Sequence, residues 1–335
     1  MRLSAQAQPE QPKPPAFMPE LVPNAANTGV TIARTKEDFT SLSLVGSDLQ
    51  SAEPLPGGHQ ETPEFVRDLY QVQWRSNDPI DLFVIRPTGV KNPPVVLYLY
   101  GFPTTTDRFR DDSYCKRLVK NGAAAVGFVS ALTGPRYAHR PMKQWFVSEL
   151  QESLATSVHD VQMILNILAT RGDVDMNRVG MFGQGSGGSI AILAAAADPR
   201  IKVLDLLEPW GDWPDWLAEA QIVPAEERPD YLKPEFLKKL EPMEPVRYLP
   251  ELKGRTIRIQ YADDPPPMKS RKRMEEAAPS TAEVIHFHST HEFIASTSGG
   301  RLFEWISEQL KPAAEIKAPT QAERPASTEK GGISQ

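Results

Sequence analysis

Apolar and polar positions along the chain form blocks that predict strands and helices in alternation. Residues 95–100 are continuously apolar, which suits a strand covered on both faces of a sheet. Within residues 149–168, apolar side chains recur every three or four positions and so form one face of a helix. This alternation predicts a mostly parallel, doubly wound α/β sheet.

The other predicted elements extend this pattern over the middle of the chain. An antiparallel hairpin precedes the parallel series, with its strands at residues 65–74 and 80–85. The alternation stops at residues 208–252, where three tryptophans and short Pro-broken segments predict a small helical insertion after the sixth strand. The remaining predicted strands are 123–129, 179–182, 201–207, 256–261 and 283–287, and the remaining helices are 112–120, 190–197 and a last one carrying Leu302, Trp305, Ile306 and Leu310.

Both ends of the chain have a composition that predicts no packed structure. Residues 1–30 and 312–335 are rich in Pro, Ala, Gln, Glu, Ser and Lys, which leaves residues 31–311 as a single predicted domain. The sequence Ala5-Gln-Ala7 resembles the end of a bacterial secretory signal, although no apolar stretch precedes it. The hypotheses are export to the periplasm or medium if this is a signal remnant, and otherwise a cytoplasmic protein with an ordinary disordered tail.

Composition narrows the classes of partner. The 335 residues are 40% hydrophobic and 24% charged, as in ordinary soluble domains, and the net charge of −6 disfavours nucleic acid. The one basic cluster, residues 269–273, is interpreted as a solvated helix face. The single Cys115 excludes an intramolecular disulfide, and no apolar run is long enough to span a membrane. No ligand cluster predicts a metal or other cofactor.

The segment Arg178-Val-Gly-Met-Phe-Gly-Gln-Gly-Ser-Gly-Gly-Ser189 lies between a predicted strand and a predicted helix. A nucleophile elbow has this context, with small residues two positions before and after an exposed serine. Small residues at Gly183 and Gly187 place Gly185 at the nucleophile position, which then lacks a hydroxyl. The other register makes Ser186 the nucleophile but puts the bulky Gln184 at a small position. The sequence leaves both registers open.

The strand order and this Gly-rich turn after the fifth predicted strand resemble the α/β-hydrolase superfamily. Within it, the layout of roughly residues 65–310 is closest to the dienelactone hydrolase and prolyl oligopeptidase-like branch. The resemblance implies a serine nucleophile after strand five, an acid after strand seven and a histidine after strand eight.

Carried onto this chain, the resemblance implies a set of site residues. Asp264, before three prolines, matches the acid best, with Asp263 as the alternative, and His291 in Ser289-Thr-His-Glu-Phe293 matches the base. The oxyanion hole would use the backbone N–H groups of Phe102 and Gly187, with the Tyr100 hydroxyl as a secondary donor.

The leading functional hypothesis is a serine hydrolase that cleaves a carboxylic ester or related acyl bond of a small molecule. Its catalytic residues would be Ser186, His291 and Asp264, and its pocket walls would include Tyr100 and the side chains Trp145, Trp210 and Trp213. Packing of the insertion onto the sheet is the alternative role of the tryptophans at 210, 213 and 216.

Two further hypotheses come from the same glycines. A catalytically impaired hydrolase that binds a small ligand or partner follows if Gly185 has replaced the nucleophile, and water activated directly by His291 would be its remaining chemistry. A nucleotide-binding protein would use Gly183-x-Gly-x-Gly187, but that motif belongs in the first strand–helix turn. The sequence predicts no oligomeric state.

Overall fold

A computed structural model describes residues 36–76, 78–132, 136, 149–264 and 269–312. The predicted N-terminal tail, all but one residue of the predicted C-terminal tail, and the candidate pocket residue Trp145 lie outside the described residues. Of the helices in the described ranges, none is both long and apolar enough to cross a membrane.

A nine-stranded sheet with the order β1-β2-β3-β5-β4-β6-β7-β8-β9 runs through the described residues. The pairs β1–β2, β2–β3 and β3–β5 are antiparallel, and every later neighbouring pair is parallel. This arrangement confirms the predicted fold class. The strands are β1 (Leu55–Glu61), β2 (Phe65–Val72), β3 (Ile80–Pro87), β4 (Pro94–Leu99), β5 (Ala124–Gly127), β6 (Asp175–Gln184), β7 (Ile201–Leu207), β8 (Thr256–Ala262) and β9 (Glu283–Phe287).

Helices connect the parallel strands and cover the two faces of the sheet. Short 3₁₀ turns lie at Asp107–Arg110, Glu241–Met243, Leu249–Glu251 and Ser298–Phe303. The α-helices are α1 (Asp112–Val119), α2 (Leu150–Arg171), α3 (Ser186–Ala197), α4 (Trp213–Glu219), α5 (Arg228–Tyr231), α6 (Pro234–Leu240), α7 (Pro245–Tyr248), α8 (Lys269–Ala277), α9 (Thr290–Thr297) and α10 (Glu304–Gln309).

The first strand, β1, was not predicted from the pattern of apolar residues. Its sequence, Leu-Pro-Gly-Gly-His-Gln-Glu, lacks alternation and is rich in residues that disfavour strands. It forms as an edge strand because the backbone of β2 offers it an antiparallel partner, from Leu55 opposite Gln71 to Glu61 opposite Val66. The Gly-rich turn therefore follows the sixth strand of the sheet and the helical insertion follows the seventh.

Apolar side chains bury both faces of the sheet. One face packs against α2 and α3, where Leu154, Val158 and Ile190 are fully buried. The other packs against α1 and α10 and contains an aromatic group around Tyr98 and Phe182. Strand β4 is buried along its whole length, which explains its continuous apolar run. Because β4 and β6 are parallel, their carboxyl ends lie at the same edge of the sheet.

The insertion between β7 and β8 contains helices α4 to α7 and lies at this edge. Trp213 and Trp216 are each 1% exposed, and the Trp213 indole N–H donates to the carbonyl of Met243 at 2.8 Å. The two rings meet edge to face with centroids 5.7 Å apart. These two tryptophans therefore pack the insertion.

Candidate functional site

Close backbone contacts determine the register of the Gly-rich turn. A Cβ atom on Gly183 would lie 2.4 Å from the carbonyl oxygen of Gly187, and one on Gly187 would lie 2.0 Å from the carbonyl oxygen of Leu99. Side chains are therefore excluded at both positions, since backbone atoms cannot yield. These two glycines flank Gly185 symmetrically, so Gly185 lies at the apex of the turn.

Gly185 has the backbone conformation of a strained strand-to-helix elbow. Its φ of 55° and ψ of −121° are disfavoured for residues with a side chain, and it caps the start of α3. Its carbonyl oxygen accepts hydrogen bonds from the N–H groups of Gly188, Ser189 and Trp210 at 2.9, 3.2 and 3.3 Å. The turn is thus formed in full, without a side chain at its apex.

Ser186 is the first residue of α3 and has no exposed surface. Its hydroxyl oxygen accepts a hydrogen bond from the backbone N–H of Phe102 at 2.9 Å. The structure therefore joins two of the predicted site residues, but as a donor–acceptor pair. The Phe102 N–H, expected to stabilise an oxyanion, is directed at a serine hydroxyl instead.

The remaining predicted oxyanion residues occupy structural positions. Gly187 is the second residue of α3, one position later than the residue that follows the turn apex. Tyr100 is 6% exposed, and its hydroxyl is hydrogen-bonded to the Tyr114 hydroxyl in the aromatic core. The Arg108 guanidinium lies 3.8 Å from the centroid of the Tyr100 ring. Tyr100 therefore packs within the core on the α1 side of the sheet.

The predicted acid and base come from neighbouring segments but are not paired. Asp264 and His291 are both exposed. Their segments meet where the Thr290 hydroxyl donates to the carbonyl oxygen of Asp264 at 3.0 Å. Among the described residues, however, no hydrogen bond joins the Asp264 carboxylate to the His291 ring. The alignment that a catalytic acid gives its histidine is absent from this arrangement.

The sequence around His291 has a second, local explanation. Ser289 is the N-cap of α9, and its side chain accepts from the N–H of Glu292 at 3.2 Å. The Glu292 carboxylate in turn accepts from the N–H of His288 at 2.7 Å. This is a variant of the Ser-x-x-Glu capping box, which the sequence already contained. His291 consequently lies in the first turn of an exposed helix.

Asp263, the alternative acid, belongs to a charged cluster beside the sheet edge. Its carboxylate accepts from Arg271 at 2.9 Å and lies 3.3 Å from the Nδ1 atom of His286. Its N–H donates to the carbonyl of Phe287 in β9 at 2.8 Å. Asp263 thus pairs with a histidine on the strand and not with His291.

A cleft of about 590 Å³ opens at the carboxyl ends of β6, β7 and β8. Trp210 and Trp216 form one wall, with ring centroids 4.5 Å apart and planes inclined by 35°. The predicted pocket residue Trp213 lies behind Trp216 and does not line the cleft. The polar lining includes Gln184, Glu208, Glu219, Asp264, Arg271 and Thr290.

Two lining residues, Glu208 and Arg271, were not identified from the sequence. Glu208 directly follows β7 and has a φ of 48°, an unusual conformation for a residue with a side chain. Arg271 comes from the basic run expected to face solvent, yet its side chain is only 11% exposed. The useful signal for Glu208 was its position directly after a buried strand, where ligand-contacting residues concentrate in open α/β sheets.

Hydrogen bonds hold this pair in place. The Glu208 carboxylate accepts from the N–H of Ala262 at 2.5 Å and from Arg271 at 3.0 Å. Arg271 also donates to the carbonyl of Ala262 at 3.0 Å and lies 4.7 Å from the centroid of the Tyr261 ring. Burial raises the pKa of Glu208, although the hydrogen bond from Ala262 and the charge of Arg271 oppose that rise.

Comparison with known proteins identifies the architecture. No protein-family model and no curated protein matches the chain. An acetyl xylan esterase from Paenibacillus sp. R4 is similar in structure, with a TM-score of 0.55 and 16% identity over 72% of this chain and 82% of that one. An S-formylglutathione hydrolase from Agrobacterium tumefaciens gives a TM-score of 0.56 and 15% identity over 77% of this chain and 100% of that one.

A third similar structure extends the likeness to a peptidase. The Pyrococcus horikoshii acylaminoacyl peptidase has a TM-score of 0.51 and 12% identity, covering 78% of this chain and 49% of that one. At sequence identities this low, the structural similarity establishes the architecture and leaves the activity undetermined. The sheet order, the strand-to-helix elbow and these neighbours together show that the chain has the α/β-hydrolase fold.

Proposed function

We propose that this protein binds a small organic molecule in the cleft beside the elbow without forming a covalent acyl intermediate. The observation that carries the proposal is Gly185 at the apex of a fully formed elbow. The catalytic advantage of this fold depends on a nucleophile at that apex, because the apex alone projects a side chain toward the bound acyl group. A glycine there offers no attacking atom.

Ser186 does not replace the missing nucleophile. Its hydroxyl is buried and accepts the Phe102 N–H, so it is turned to the interior of the turn. To attack a substrate it would have to leave this bond and reach the cleft from the first turn of α3. The serine-hydrolase hypothesis also requires the His291 ring and the Asp264 carboxylate to come together, and they are unpaired here.

The space over the apex supports the same proposal. A Cβ atom at position 185 would lie 3.3 Å from the indole nitrogen of Trp210 and 3.5 Å from the adjoining ring carbon. Trp210 therefore occupies the side where a nucleophile would project. Apolar and aromatic walls with a few polar groups are the usual composition of a small-molecule site, and the cleft retains both.

The expected behaviour is binding without serine-dependent turnover. Hydrolysis of short-chain and aromatic p-nitrophenyl esters would be measured for the wild type, Ser186→Ala and His291→Ala, with folding checked by circular dichroism. We expect all three proteins to give the same low rate, since neither side chain does chemistry. A wild-type hydrolysis rate at least about a hundredfold above the rates of both variants would instead support the mechanism with Ser186 as nucleophile.

A further inference from the structure

We infer that the ligand of this cleft is an organic cation with an apolar body, held by the Asp264 and Glu208 carboxylates and the Trp210 ring. The inference rests on the proposed ligand-binding function and specifies the chemical class that the site takes. It follows from the sign of the charge that the cleft presents to a ligand, and from the aromatic wall of the same cleft.

Carboxylates supply most of the charged surface in the cleft. Its described lining includes three acidic side chains, Glu208, Glu219 and Asp264, and a single basic one, Arg271. The Glu208 side chain is 37% exposed, whereas that of Arg271 is 11% exposed. A ligand entering the cleft therefore meets carboxylate oxygens before it meets the guanidinium.

The guanidinium is also already neutralised. Arg271 forms ion pairs with Glu208 at 3.0 Å and with Asp263 at 2.9 Å, and donates to the carbonyl of Ala262. Two carboxylates share one arginine, so with the neighbouring His286 ring neutral this group has a net negative charge. A ligand carboxylate would have to displace one of them from a well-formed pair, at the cost of leaving that acid unpaired.

Asp264 adds a charge that the described residues do not compensate. Its side chain is exposed, lines the cleft and has no ion pair or hydrogen bond with a described residue. Glu219 differs, because the ammonium of Lys269 lies 3.4 Å from its carboxylate and its other oxygen accepts the Lys269 N–H at 3.0 Å. Of the three cleft acids, Asp264 is therefore the one without a partner among the described residues.

The aromatic wall provides the second recognition element. The rings of Trp210 and Trp216 have centroids 4.5 Å apart and planes inclined by 35°, and Phe293 lines the same cleft. Tryptophan faces attract ammonium groups through their quadrupole, most strongly where water is partly excluded. Leu207, Ala220 and Ile222 complete an apolar surface that suits the body of such a ligand.

The test uses three probes that share a benzyl group and differ in charge. Benzyltrimethylammonium, benzyl alcohol and phenylacetate would be titrated into the full chain by calorimetry at low salt. We expect the cation to bind about tenfold more tightly than the neutral alcohol, and phenylacetate to bind most weakly. Added salt should weaken the binding of the cation alone, since screening reduces its attraction to the carboxylates.

Matched variants locate the effect. Asp264→Asn should reduce the affinity for the cation about fivefold and leave that for benzyl alcohol unchanged, whereas Glu251→Gln, an exposed acid outside the cleft, should change neither. Equal affinity for cation and alcohol, tighter binding of phenylacetate, no saturable binding of the cation, or an unaltered Asp264→Asn variant would each overturn the inference. Failure of the proposed function has a different signature, a covalent acyl or phosphonyl adduct on Ser186.

Discussion

At the scale of single residues, any residue other than glycine at the apex of the elbow would lower the stability of the fold in two ways. A side chain at position 185 would adopt a disfavoured φ of 55° and would press on the Trp210 indole at 3.3 Å. Gly172, at the end of α2, has a φ of 72° but nothing within 4 Å of its Cβ position. The two glycines separate the conformational cost from the steric one.

We expect Gly185→Ala to lower the free energy of unfolding by about 2 to 4 kcal/mol, because backbone strain and contact with Trp210 add. Gly172→Ala, which has only the backbone cost, should lose about 1 kcal/mol. Urea denaturation followed by circular dichroism measures both. Equal losses would mean that Trp210 yields freely and does not fill the space over the apex.

Ser186 has a structural role at the same scale. Removing its hydroxyl deletes the acceptor of the Phe102 N–H in a fully buried turn. Ser186→Ala should therefore cost about 1 to 2 kcal/mol of unfolding free energy while leaving ligand affinity in the cleft unchanged. Calorimetric titration with benzyltrimethylammonium alongside urea denaturation distinguishes the two effects, and a large loss of affinity with unchanged stability would contradict this role.

At the scale of elements, a buried acid joins α2 to the loop after β2. Asp160 has no exposed surface and accepts from the Trp74 indole at 2.8 Å, from Arg75 and from Arg136 at 2.7 Å. Burial alone would raise the pKa of Asp160, but the charges of Arg136 and Arg75 lower it below its ordinary range.

Asp160→Asn should destabilise the fold by about 3 to 5 kcal/mol, since two arginines would lose a buried counter-charge. The control is Asp230→Asn, whose ion pair with Lys233 is equally close at 2.7 Å but lies between exposed side chains. That substitution should cost less than about 1 kcal/mol. Comparable losses in urea denaturation would show that burial of the Asp160 cluster does not set its contribution.

The segment before β1 is attached to α2 by a neighbouring contact. The His159 Nδ1 atom lies 2.6 Å from the Glu37 carboxylate, and its Nε2 atom lies 2.9 Å from the Ser41 carbonyl. Arg75 also donates to Glu37. Burial alone would raise the pKa of Glu37, but these hydrogen bonds from Arg75 and His159 lower it below its ordinary 4.5.

The direction of the Glu37 pKa shift determines how the stability of this segment depends on pH. Because the folded-state pKa lies below the unfolded one, the Glu37 contribution is complete above pH 4.5 and is lost as the pH falls through the folded value. Amides of residues 36–50 should therefore lose protection against hydrogen exchange in acid, after correction for intrinsic rates. In Glu37→Gln, these amides should be less protected than in the wild type, and their protection should no longer depend on pH. If the variant kept the acid response of the wild type, Glu37 would not be the group responsible.

At the scale of the whole molecule, the layered sheet could be predicted because its strands are buried on both sides. Residues 95–100 and 201–207 have no polar face, and residues 149–168 have a clear apolar one, so their roles follow from periodicity alone. The edge strand β1 could not be predicted, since its Pro-Gly-Gly sequence forms a strand only through pairing with β2.

The site was less predictable because it depends on distances between segments far apart in the chain. Both registers of the Gly-rich turn fit the sequence, and they are distinguished by the backbone angles of Gly185 and by the close backbone contacts of Gly183 and Gly187. Arg271 looked like part of a solvated face because its partners, Glu208 and Asp263, come from other loops. The role of Ser289 and Glu292 in capping α9 was present in the sequence but was hidden by the resemblance to a catalytic loop.

Intact-mass spectrometry after incubation with a fluorophosphonate, which reacts covalently with activated serines, tests directly whether the elbow lacks a nucleophile. The wild type, Ser186→Ala and His291→Ala would be compared under conditions in which each is folded. We expect an unmodified mass for all three proteins, because the elbow apex is Gly185 and the Ser186 hydroxyl is bonded inside the turn. A single adduct that maps to Ser186 and disappears in both variants would contradict it.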